Sequence, residues 1–298
     1  MAVGGWSLFF TQAGRTIFVV LHMTSDLFIL AIPLFVVAVL YSSVGHAGAS
    51  GYVAVLALSG MAAAEIKPVA LVWNVGVAVV ATAQFARAGY FSWRLFWPLA
   101  LASVPMAYVA GGWRIPGEML KPLLGVVLIF SAVRLFWKLP DPDRPRFPSR
   151  AVALATGGLL GGLAGMTGTG GGIFLTPVML FRRWAITRQV AAVSAAFVLV
   201  NSLSGLAGHW QSGQPIPRFA LWLAPVVMAG GVIGSTLGSR RWPVRTLHLI
   251  LAVVLLAAGL KLCLLRPPAP PAATSTESAH PGRGHSASKE NRAPIAGT

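Results

Sequence analysis

The sequence predicts an all-α polytopic membrane protein: a duplicated helical bundle of about eight full spans plus two glycine-broken short helices that re-enter. Three observations predict it. Of 298 residues, 56 % are hydrophobic and 10 % charged, with a mean hydropathy of +0.73, whereas a soluble domain is about a quarter charged. The apolar residues fall in blocks long enough to cross a bilayer, which takes about 20 residues. Two glycine-rich clusters interrupt those blocks at equivalent places in the two halves.

Residues 1–25 form a separate N-terminal segment. Ile17–Leu21 is apolar but bracketed by Arg15 and His22, so it has neither the pattern of a signal peptide nor the length of a span. A surface helix is one reading; a start at Met23, just ahead of the first span, is another. The first membrane repeat, 26–138, opens with a span from Leu27 to Val44. A glycine-broken stretch follows at 45–51, then a short apolar run from Tyr52 to Ala63, then spans at Pro68–Ala86, Leu95–Gly112 and Leu120–Phe136. Four prolines and five charges fill 139–150, a density no helix survives, which makes this a solvated linker. The second repeat, 151–266, has the same order: a span at Ala151–Ala164, a break through Gly172, a short run Ile173–Phe181, and spans at Ala185–Gly208, Phe219–Gly238 and Leu247–Leu265. Residues 267–298 are rich in Pro, Ala, Ser and Gly and are expected to be disordered. An offset of 120 superposes Gly45 on Gly165, Gly48 on Gly168, Gly51 on Gly171 and Ile66 on Ile186; that register, with the repeated order, points to an internal duplication.

The 23 Lys and Arg against 7 Asp and Glu give a formal charge of +16. The basic residues stand at the ends of apolar blocks, as do Arg87 and Arg94, Arg182 and Arg183, and Arg240 and Arg241, where they set topology and meet headgroups. A nucleic-acid partner is therefore not expected. Trp93, Trp97, Trp113, Trp137, Trp210 and Trp242 also favour span ends and fit aromatic belts, and His209 and His248 are expected to be interfacial. Cys263 is the only cysteine, so no intrachain disulfide or cysteine-built metal centre is available.

Ile173–Phe181 covers roughly 14 Å at the α-helical rise, against a hydrocarbon core of about 30 Å. A half-helix starting inside the membrane points its unpaired N–H groups, with their partial positive charge, into the protein. Two such ends facing each other make an anion site without a buried lysine or arginine. The expected substrate-binding residues are Gly45, His46, Gly48, Ser50 and Gly51 at the first break and Thr167, Gly168, Thr169, Gly170, Gly171 and Gly172 at the second. Asn74 and Ser194 join them, as equivalents on the spans that follow. Each has a structural alternative. Gly161 with Gly165 and Gly168 with Gly172 have the spacing of close helix packing. His46 either meets an anion or bonds a broken-helix carbonyl, and Thr167 and Thr169 either meet a ligand or cap the second half-helix. Asn74, Ser194, Thr82, Gln84, Asn201, Ser202 and Ser204 are suited to interhelical bonds.

All seven acidic residues (Asp26, Glu65, Glu118, Asp141, Asp143, Glu277 and Glu290) lie at span ends, in loops or in the tail. A cation carrier or proton pump built on carboxylates keeps one inside the membrane, so an anionic or neutral substrate is expected. No metal-ligand cluster, nucleophile–base pair or cofactor motif occurs, so neither an enzyme nor a cofactor is expected.

The second break, Gly-Met-Thr-Gly-Thr-Gly-Gly-Gly from 165 to 172 followed by Pro177, in a duplicated small membrane protein, resembles the TauE/SafE sulfite exporter family over about residues 27–265. The first break, Gly-His-Ala-Gly-Ala-Ser-Gly from 45 to 51, departs from the family's glycine run by its histidine. The resemblance implies a transporter, often an exporter, of sulfite, organosulfonates or related anions across the cytoplasmic membrane. An anion channel and a non-transporting subunit with packing glycines are the alternatives. Expected partners are the small anion and the lipid bilayer, with a homo-oligomer as an allowed state. If the short runs re-enter, leaving four spans per half, the halves are parallel and the basic residues outside the tail divide eleven to nine. If they cross, the halves are inverted and the division is thirteen to seven.

Overall fold

In a computed structural model, residues 29–136, 142, 144–240 and 245–264 are described. Ten helices account for most of them: α1 (Ile29–Ser43), α2 (Ala49–Leu58), α3 (Ala63–Arg87), α4 (Trp93–Gly112), α5 (Gly117–Phe136), α6 (Arg150–Thr167), α7 (Gly172–Phe181), α8 (Thr187–Gln211), α9 (Phe219–Ser239) and α10 (Arg245–Leu264). No strand occurs among the described residues. The N-terminal segment 1–25, the tail 267–298, His248, Trp137 and Trp242 lie outside what can be described of side chains.

Four helices, α3, α4, α8 and α9, are by themselves long and apolar enough to cross a membrane. Helices α5, α6 and α10 have 20, 18 and 20 residues, or about 27–30 Å at the helical rise. The short helices α2 and α7 have ten residues each. Ser149 caps α6 by accepting from Val152 N, so the helix starts directly after Pro148. Pro68 lies inside α3 on its second turn, and the Ala64 carbonyl four residues back loses its usual N–H donor there.

Close backbone approach organises the packing. A Cβ on Gly157, Gly161 or Gly165 would run into the backbone of Leu99, Ser103 or Ala107, so α6 lies parallel to α4 with glycine at every contact turn. Gly230, Gly234 and Gly238 meet Phe35, Val39 and Ser43 in the same way, holding α9 parallel to α1. Helix α8 is the most enclosed span, with 67 % of its most apolar window buried against 39 % for α9. Trp93, Trp97, Trp113 and Trp210 are exposed at helix ends, as belt residues are. His209 stands in the last turn of α8, at a span end, and is buried at 1 % exposure where Gly208 packs against Tyr108 of α4.

The two ends of the bundle are distinguishable by their contacts. At one end Arg146 N donates to Arg183 O at 2.8 Å, Arg188 bonds Tyr90, and the Arg94 guanidinium lies 4.3 Å over the Phe147 ring. The start of α6 and the finish of α7 are thus neighbours at the linker end. At the other end Arg114 bonds the Ser212 carbonyl and Lys261 Nζ donates to Leu58 O at 2.9 Å. Helices α6 and α7 therefore make a hairpin that leaves the linker end and returns to it. Helices α1 and α2 make one that returns, at Leu58, to the opposite end.

Candidate functional site

The first break is a tight turn after α1, with Gly45 N bonded to Ser42 O and His46 N to Tyr41 O. Gly45 has φ +80 and its α-carbon abuts the Ala191 carbonyl of α8, so neither the conformation nor the space admits a side chain. His46 is buried at 4 % exposure. Its Nε2 is 2.8 Å from Thr176 Oγ1 on α7, which is 3.0 Å from Ser194 Oγ on α8. The histidine of the first half thus sits in a hydroxyl pair of the second.

The second break follows α6. Gly168 caps it in the left-handed region and its carbonyl accepts from Asn74 Nδ2 of α3 at 3.1 Å. Thr167 Oγ1 bonds Leu163 O and Thr169 Oγ1, both at 2.7–2.8 Å. The threonines do not cap α7 as the sequence allowed: its N-cap is Gly171, with φ +80 and no side-chain cap, because the hydroxyls turn back onto α6. Helix α2, with Gly48 as N-cap, is uncapped by a side chain as well. The leading N–H groups of both short helices therefore have no intrahelical or side-chain capping partner.

The two breaks meet. A Cβ on Gly172, the first residue of α7, would lie 3.3 Å from His46 Cδ2. Of the expected residues, the fold gathers Gly45, His46, Gly172 and Ser194 in one group, and Asn74, Thr167, Gly168, Thr169 and Gly170 in another beside it. Gly48 and Gly51 face inward on their own half, against Tyr52 and against Val37 and Tyr41, and Ser50 spends its hydroxyl on Tyr41. Gly171 packs on Phe197.

The sequence reading passed over Lys67, which the fold buries. It is 4 % exposed, its Nζ donates to Gly111 O at 2.7 Å and Ala110 O at 3.4 Å, and a Cβ on Gly168 would lie 2.8 Å from its carbonyl oxygen. The Lys67 backbone thus packs on the second break while its Nζ reaches the finish of α4. Thr176 was also missed. It lies one turn past Gly172, and only its being the one hydroxyl in Ile173–Phe181 marks it in the sequence.

Thr176→Val should strand His46 Nε2 and Ser194 Oγ together. Each buried group left without its partner costs about 1–3 kcal/mol, so the purified variant should melt lower, while Thr176→Ser should stay close to wild type.

Among the described residues, a helical bundle with four apolar spans and exposed tryptophans at helix ends defines a multi-pass membrane protein. The family described as sulfite exporter TauE/SafE matches residues 29–262, and the chain belongs to it. It is 41 % identical over 238 residues to a probable membrane transporter protein, y4hK, of Sinorhizobium fredii, covering 78 % of this chain and 96 % of the relative. It is 28 % identical over 211 residues to the probable membrane transporter protein YjnA of Bacillus subtilis, covering 64 % and 82 %. No solved structure matches.

Proposed function

We infer that the protein carries a small sulfur-containing anion, such as sulfite or an organosulfonate, outward across the cytoplasmic membrane by alternating access around the two glycine breaks. The observation that carries this reading is the contact of His46 with the start of α7. It sets His46, two residues ahead of the N-cap of α2, against the first residue of α7, and the N–H groups and dipoles of uncapped helix starts favour an anion. The buried Lys67 side chain and the Thr176–Ser194 hydroxyls add donors. Because α1 and α6 belong to the hairpins, three helices per half rather than four are left to cross, and that odd number suits two inverted repeats, 26–138 and 151–266, that rock about a shared site. The division read from the sequence for inverted halves, thirteen basic residues on the linker side against seven, then turns the linker to the cytoplasm by the positive-inside rule.

Counterflow of labelled sulfite in proteoliposomes tests this, because exchange needs no knowledge of a coupling ion. Saturable uptake competed by sulfonates and thiosulfate is the expected result. Folded, inserted protein that exchanges no sulfur oxyanion would overturn the reading, and single-channel currents would replace the carrier with a channel.

A further inference from the structure

Three polar atoms around the second break are buried without a hydrogen-bond partner: Asn74 Oδ1, Asn201 Oδ1 and Ser202 Oγ, on residues with 0 % exposure. The two amides cannot be flipped to repair this. Asn74 Nδ2 donates to Gly168 O and Asn201 Nδ2 to Phe197 O at 2.9 Å. Both partners are carbonyls and accept only, so each amide must present its nitrogen there and leave its oxygen over.

These atoms share a neighbourhood. Ser202 Oγ would lie 2.9 Å from a Cβ on Gly170, and Asn74 touches Gly168. Asn201 stands one turn from Phe197, which packs on Gly171, and one turn from Gly205, which packs on Gly165; its side chain therefore falls against the finish of α6. That finish is the negative pole of a helix, and α7 begins just beyond it with the opposite polarity.

A dehydrated anion cannot satisfy these amide oxygens, since it too is an acceptor. A cation can. No acidic residue of the sequence lies on this part of α3, α6 or α8; a divalent ion, which is ordinarily bound with carboxylates, would be left uncompensated, and a buried charge without compensation is costly. We propose that the second glycine break holds an alkali-metal cation on the side-chain oxygens of Asn74, Asn201 and Ser202, bound beside the anion as its co-ion. The proposal rests on the anion reading above and names the ion that accompanies the substrate. The cation takes the α6 pole of the broken helix and the anion the α7 pole, so the charge carried into the low-dielectric interior is reduced.

The test uses the full-length protein in detergent, melted in KCl, in NaCl and in choline chloride at matched ionic strength, without any sulfur anion. Melting should rise saturably with K+ or Na+ over choline. Asn201→Leu should lose that rise while melting no lower than wild type in choline, because it removes an orphaned acceptor; Ser202→Ala should weaken the rise. In proteoliposomes, half-saturating sulfite should increase at least tenfold when choline replaces both alkali ions. Identical melting and identical sulfite saturation in the three salts would overturn the cation site, and sulfite exchange persisting there would leave the anion reading intact. A saturable cation-dependent rise that Asn201→Leu abolishes, in protein that exchanges no sulfite, would support the cation site and remove the anion reading instead.

Discussion

Gly45→Ala is expected to abolish sulfite counterflow and to lower the melting temperature of the purified protein more than any other single methyl group added at the breaks. Two costs coincide at this residue. A side chain at φ +80 pays about 1–3 kcal/mol in backbone strain. Its Cβ would also be driven into the backbone of Ala191, which has no side-chain freedom to yield, and overpacking of this kind costs about 1–3 kcal/mol more. The turn can relieve the clash only by moving off α8, which withdraws His46 from Thr176. Gly60→Ala is the control: its φ is +88 but nothing lies within 4 Å of the added carbon, so it should carry the backbone cost alone and leave transport intact. Equal effects of the two substitutions would show that the seat of the first break on α8 is unimportant.

Lys67→Met is the second large effect, and its sign differs between stability and transport. Methionine fills nearly the same space and removes an ammonium whose hydrogen bonds go to the Gly111 and Ala110 carbonyls. Replacing a buried charge by an apolar group is often neutral or stabilising, so the melting temperature should hold or rise. The sulfite concentration for half-maximal counterflow should instead increase by about tenfold or more, equivalent to about 1.4 kcal/mol of lost binding. Lys67→Arg should retain part of the affinity by retaining the charge. Unchanged saturation in Lys67→Met would place the lysine outside the anion's field.

The helices and their order were legible in the sequence because hydropathy and glycine clustering report them directly. The walls of the site were not, for a geometric reason. Aligning the halves pairs Asn74 with Ser194 as equivalents, which invites assigning each to its own break. In the folded chain both turn to the second half: Asn74 of the first half bonds Gly168 of the second break, and Ser194 bonds Thr176, the partner of His46. Sequence register identifies equivalent residues, whereas opposed hairpins bring non-equivalent ones into contact. Lys67 escaped notice because Pro68 looked like the first residue of its span. The helix begins five residues earlier, at Ala63, which draws the lysine inside. Asn201 and Ser202 were visible as polar residues on a span. Only the direction of each hydrogen bond reveals that the asparagine spends its nitrogen on a carbonyl and keeps its oxygen in reserve.

The crossed seating of the breaks has a consequence for how the protein is made. His46 and Thr176 are 130 residues apart, and a ribosome adding about 5–20 residues per second separates their synthesis by roughly 7–26 s. For that interval the turn at Gly45 has no roof, since Ala191, Thr176 and Ser194 do not yet exist. The nascent first half must therefore persist as a membrane-embedded intermediate whose polar turn is sheltered by something other than its final neighbours.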